Sequence, residues 1–93
     1  MIELFWTPEA IQDREDIYDF IEQENPVAAL ELDELFSEAA QRLLDNPNSG
    51  RQGLVADSQE LVVHKHYMLV YDTVGEQIRI LNVAHTARQW PPL

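Results

Sequence analysis

Glu60-Leu61-Val62-Val63, then Tyr67-Met68-Leu69-Val70-Tyr71, then Ile78-Arg79-Ile80-Leu81-Asn82-Val83 follow one another with little between them. The three runs are rich in β-branched and aromatic residues, which suit a pleated, half-buried surface, and so predict three strands. Their connections are His64-Lys65-His66 and Thr73-Val74-Gly75-Glu76. A parallel pair needs a crossover of a dozen residues or more, so turns this short predict an antiparallel meander. The apolar runs are too continuous for a sheet with one fully wet face. Part of the second face must be covered, by the first strand's neighbours, by a loop or by a bound partner.

Upstream, residues 50–58 hold two glycines and no clear period, and are expected to form a loop. Before them lie two helical signals. Thr7-Pro8-Glu9 combines an N-cap residue, a proline suited to the first helical position and an acid for the first turn. From Pro8 to about Glu24, Ala10, Ile11, Ile17, Tyr18 and Ile21 recur near helical spacing, with acids opposite. Asn25-Pro26 repeats the start signal, and Ala29, Leu32, Phe36, Ala39 and Leu43 follow before Asp45-Asn46-Pro47-Asn48-Ser49-Gly50 ends the pattern. A short apolar run from Ile2 to Trp6 predicts an initial strand. The expected fold class is therefore α+β: an N-terminal strand and a two-helix hairpin packed on an antiparallel β-sheet, in one domain over residues 1–93. In the tail, Trp90-Pro91-Pro92 can extend neither a helix nor a central strand.

The net charge of −11 is unevenly placed. Residues 1–48 hold 13 acids against Arg14 and Arg42, whereas residues 49–93 hold four acids against Arg51, Lys65, Arg79 and Arg88. An acidic surface forfeits the counterion release that drives non-specific nucleic-acid binding, so any such role falls to the second half. There is no cysteine, which excludes disulfides and thiolate metal sites. The N-terminus lacks a basic and apolar leader pattern, and no apolar run approaches a membrane span, so the expectation is a cytoplasmic protein without membrane contact.

Ser37, Ser49 and Ser58 sit in no nucleophile setting, and the three glycines form no phosphate cradle. No cofactor is expected. His64 and His66 have a spacing that metal sites use, but a polar turn explains them without a third ligand, and no metal is expected. Asp13, Asp16 and Asp19 with Glu9 and Glu15 are read as a solvated helix face rather than as acid-base groups. The remaining cluster is Arg79, His85, Arg88 and Trp90, with Arg51, His64 and Lys65 as possible neighbours. Guanidinium forks, imidazoles and an indole are chemically suited to RNA, although in so acidic a chain the cations can equally serve helix carboxylates.

The order of elements and the local wording resemble the RelE/ParE superfamily of bacterial toxins. The resemblance runs through Trp6-Thr7-Pro8-Glu9-Ala10, Asn25-Pro26, Gly50-Arg51, Glu60 to His64, Tyr67 to Asp72, and Arg79-Ile80-Leu81 through His85 to Arg88-Gln89-Trp90-Pro91. It implies a compact toxin that stops growth unless a cognate antitoxin masks it, alone or within a homo- or hetero-oligomer. It also implies one of two targets. Some members cut mRNA on the ribosome with clustered Lys and Arg; others poison DNA gyrase by binding. At positions matching that cluster this chain has Gln59, Leu61 and Met68, keeping only Arg88, and Leu54, Gln59 and Asn82 stand where relatives commonly carry Arg. It also ends soon after Trp90, without the C-terminal helix of the ribonuclease members. The first expectation is a gyrase-binding toxin using Arg51, His64, Lys65, Arg79, His85, Arg88 and Trp90. The alternatives are an mRNA endonuclease with Arg79, His85 and Arg88 as catalytic residues, and a detoxified member that retains only antitoxin binding.

Overall fold

The computed structural model describes residues 1–86. The elements run β1 (Glu3–Trp6), α1 (Pro8–Glu22), α2 (Pro26–Arg42), β2 (Arg51–Gln52), β3 (Gln59–His64), β4 (Tyr67–Val74) and β5 (Gln77–His85). Both helices begin as their sequences predict. The Thr7 hydroxyl accepts from Ala10 N–H at 3.1 Å and the Asn25 side-chain oxygen from Ala28 N–H at 3.0 Å, each ahead of a proline whose missing N–H costs nothing at that position.

β3, β4 and β5 form the expected antiparallel meander, within a five-stranded sheet of order β1-β5-β4-β3-β2. The sheet is mixed, because β1 lies parallel to β5, with both helices and the strands β2 to β4 between them in the chain. The expected loop at residues 50–58 contains a short strand: Arg51 and Gln52 pair with Glu60 and Gln59. Too short to show a period of two, it is legible only once β3 is there to pair with it. At the β4–β5 turn Gly75 adopts φ +59, the value that the first residue of a two-residue hairpin needs and that glycine tolerates best.

One face of the sheet carries the core. Leu32, Phe36 and Ala39 of α2 and its C-cap Leu43 meet Leu69 and Tyr71 of β4 and Ile78, Ile80 and Val83 of β5. The heptad-like spacing of α2 thus delivers its whole stripe inward. α1 does so only partly, with Ala10 buried and Ile11 exposed. Tyr71, fully buried, donates to the Pro47 carbonyl at 2.9 Å and accepts from Gly50 N–H at 3.0 Å, so it ties the loop after α2 to the sheet. Gly50 allows that approach, since a Cβ there would lie 2.6 Å from the tyrosine oxygen and 2.9 Å from the Glu60 carbonyl. Burial pushes the Tyr71 phenol above its ordinary range.

Arg14 joins three elements. Its guanidinium lies 4.5 Å over the Trp6 ring of β1 and pairs with Asp33 of α2 at 2.9 Å. Among the described residues no helix is long and apolar enough to cross a membrane.

Candidate functional site

The second half of β5 decides the site. Along β4 and β5 the register runs Asp72 to Arg79 and Tyr71 to Ile80, then Val70 to Asn82, so Leu81 is an extra residue. Strict alternation would place Arg79, Leu81, Val83 and His85 on one face. The bulge resets the phase: Ile78 and Ile80 face the helices before it, Val83 and His85 after it.

Side chains of α1 occupy the sheet edge at this irregularity, where β1 has ended. The Thr7 hydroxyl lies 3.0 Å from both the Ile80 and Leu81 carbonyls, to which it donates. One carboxylate oxygen of Asp13 accepts from Val83 N–H at 2.9 Å and from the Asn82 side-chain amide at 3.0 Å. Asp13 was expected on a solvated face; instead it satisfies an edge amide that no strand pairs, a role invisible in helical spacing alone.

At the end of the sheet the structure gathers three imidazoles and a phenol. His66 in the β3–β4 turn stacks on His85 with centroids 5.5 Å apart, and Tyr67 meets His85 edge-on at 5.3 Å. His64 lies 5.6 Å from His66 and 6.1 Å from Tyr67. Phe36 supports the cluster from below, edge-on to Tyr67 at 5.9 Å. The turn is held to β5 by Thr86, whose N–H donates to the His66 carbonyl at 2.8 Å and whose hydroxyl donates to the Lys65 carbonyl at 2.7 Å. His64 Nδ1 accepts from His66 N–H at 3.2 Å, so in the neutral ring the proton sits on Nε2. Rings in this arrangement can exchange protons with a ligand or stack on one. Among the described residues no group of three or more His, Asp or Glu side chains is arranged to hold a metal ion.

The expected cation cluster is divided. Arg79 lies on the face away from the helices, on the order of 20 Å along the strand from His85. There its guanidinium grips both oxygens of Asp72, directly across the ladder, which raises its pKa further. Arg51 is on the same outer face and pairs at 3.2 Å with the buried carboxylate of Glu60. Of the set's described residues, His64, Lys65 and His85 come together at the β3–β4 turn, through His66 and Thr86. Arg88 and Trp90 lie outside the described residues. Of the positions where cations are replaced, Met68 is buried, Leu61 packs against the core, Asn82 is held by Asp13, and Leu54 is exposed in the loop before β3. Sequence reading missed His66 and Tyr67 as partners of His85, although the contiguous His-Lys-His-Tyr run was a signal; their register with the end of β5 was not.

The model of the "ParE toxin of type II toxin-antitoxin system, parDE" family matches residues 4–90. The chain is 33% identical over 88 residues to toxin RelE2 of Caulobacter vibrioides, covering 95% of this chain and 99% of that protein. Among solved structures it resembles a chain of the chromosomal ParDE system of P. aeruginosa, with a TM-score of 0.82 at 26% identity over 91% of this chain and 96% of that one. The YoeB/ParE toxin of Agrobacterium tumefaciens shares the fold, with a TM-score of 0.66 at 15% identity over 90% and 98%. A helix hairpin on a meander, a parallel first strand and a family match spanning nearly the whole sequence lead to one conclusion: this chain belongs to the ParE toxin family of type II toxin-antitoxin systems, within the RelE/ParE superfamily.

Proposed function

We propose that the chain arrests growth by binding a protein target of the DNA gyrase kind, and that a cognate antitoxin neutralises it. The observation that carries this reading is the pairing of Arg51 with Glu60 and of Arg79 with Asp72, both on the face opposite His85. Cleavage through a 2′-hydroxyl develops charge at the phosphate and needs unpaired cations beside the proton-transfer groups. Here Arg79, one of the two cations expected to serve cleavage, is already matched by a carboxylate, and so is Arg51 on the same face. A binding surface has no such requirement.

The second reading is a ribosome-dependent mRNA endonuclease, and the cluster of His64, His66, Tyr67 and His85 favours it, because imidazoles near neutral pH are effective general acids and bases. Induction of the chain alone in bacteria lacking the antitoxin separates the two. Gyrase poisoning predicts arrest with a DNA-damage response and inhibited supercoiling by purified gyrase. Arrest with halted translation and cut mRNA, abolished by Arg88→Ala, would install the endonuclease instead. Unimpeded growth with the folded chain present would leave a detoxified member that binds only its antitoxin. The acidic helical half also favours a basic antitoxin, whose association should slow as salt is added. A rate indifferent to ionic strength would remove that electrostatic contribution.

A further inference from the structure

Among the described residues β1 is bonded on one side only, by β5, and ends the sheet at the side away from β2. The direction of its backbone groups follows from two contacts. Glu3 N–H donates to the Glu76 carbonyl at 2.8 Å and Thr7 N–H to the Ile80 carbonyl at 3.0 Å. By alternation Glu3, Phe5 and Thr7 bond toward β5, whereas Leu4 and Trp6 turn N–H and C=O outward, away from the sheet. Glu3-Leu4-Phe5-Trp6 contains neither the lysine nor the proline that usually guards such an edge. The side chains of Leu4 and Trp6 pack on the core, so Phe5 stands on the outer face beside Arg79, with 45% of its surface exposed.

We propose that the free edge of β1 pairs antiparallel with β1 of a second copy of this chain, about a twofold axis at Phe5, joining the two sheets into one. Leu4 of each copy then lies opposite Trp6 of the other, and each such pair exchanges both N–H···O bonds, which satisfies every outward group of the strand. A twofold axis makes the contact self-complementary, because the groups that β1 presents are the groups it needs. Phe5 meets its own counterpart in the closer, non-hydrogen-bonded kind of cross-strand pair, where two aromatic rings stabilise a ladder.

Charge selects this occupant over a basic partner. The acids crowd the helical half, but β1 contributes only Glu3, and the cation over Trp6, Arg14, is matched by Asp33. A basic segment is drawn to the helices rather than to this edge. In the paired strands Glu3 lies opposite Thr7 of the other copy, and the two Glu3 residues are roughly 13 Å apart along the ladder, beyond the screening length of about 10 Å in 0.1 M salt. The net charge of −11 on each copy therefore opposes pairing at long range and not at the contact. Pairing at β1 requires neither the target nor the antitoxin.

The test is the oligomeric state of the purified chain, measured by sedimentation, with amide exchange followed residue by residue. So small an interface gives weak association, half complete at a concentration on the order of 100 μM. Added salt should strengthen it severalfold by screening the repulsion between two acidic chains. Well above that concentration the amides of Leu4 and Trp6 should gain roughly tenfold protection, while those of Glu3 and Phe5, already bonded to β5, stay as they are. Phe5→Glu sets a carboxylate beside Arg79 in the single chain but against its own counterpart in the pair, so its melting temperature should hold while association weakens roughly tenfold or more. Phe5→Tyr should associate as the parent does. A chain that stays monomeric at about 1 mM, or one that associates with Leu4 and Trp6 still exchanging freely, would overturn the proposal. So would a folded Phe5→Glu that associates within about threefold of the parent. If Phe5→Glu fails to fold, exchange in the parent decides alone.

Discussion

The two halves of β5 differ in what one residue does to them. Before Leu81 the strand is bonded on both sides, by β1 and β4, and its polar residue, Arg79, is matched across the ladder by Asp72. After Leu81 it has β4 on one side only, and α1 side chains take the place of β1, with Asp13 holding Val83 and Asn82. The first half is a finished piece of sheet. The second is positioned from a helix, and it carries His85 into contact with His66 and Tyr67. The contrast teaches that a bulge here is a sorting device: residues of the same parity along the sequence are sent to opposite faces, so one cation enters a structural ion pair and one imidazole enters a cluster.

Deleting Leu81 is the most severe way to break this contrast. It should leave a regular ladder with Asn82 still opposite Val70 and with Val83 and His85 still facing the helices, but it removes the Leu81 carbonyl that accepts from Thr7 and draws Val83 back from Asp13, at a cost of about 2–4 kcal/mol. Chemical denaturation would measure it, and retention of the parent's stability would mean that the extra residue is not what brings the strand edge to Thr7 and Asp13. A gentler change is Asp13→Ala, which leaves Val83 N–H without its partner. About 1–3 kcal/mol should be lost, with the resonances of His85 and His66 shifting and those around Arg79 still.

Tyr71 provides a control inside the core. Tyr71→Phe leaves Pro47 and Gly50 without their partner and should cost about 1–2 kcal/mol at neutral pH. Its pH dependence has a definite sign. The folded phenol titrates above its unfolded value of 10.0, so its contribution is complete below pH 10 and declines as pH rises toward the folded value. Denaturation between pH 8 and 11 should show a steeper alkaline loss in the parent than in Tyr71→Phe. The smallest effect belongs to the outer face. A double-mutant cycle on Asp72→Asn and Arg79→Gln should return only a weak coupling, because the pair is partly exposed, with no perturbation at His85. Perturbation there would show that the two halves of β5 communicate across the bulge.

Much of this architecture could be read directly from the residues. Thr7-Pro8 and Asn25-Pro26 start the helices, the spacing from Ala29 to Leu43 names the buried stripe of α2, and three β-rich runs with short turns require a meander, because capping, periodicity and loop length are local properties. The position of β1 beside β5, the two-residue β2 and the extra residue at Leu81 were not legible in this way. Each depends on which backbone groups another part of the chain leaves unpaired. The candidate site was hidden for the same reason: Arg79 and His85 look like neighbours in the sequence, and only the register between β4 and β5, with Asp13 satisfying the open edge, puts one on Asp72 and the other against His66 and Tyr67.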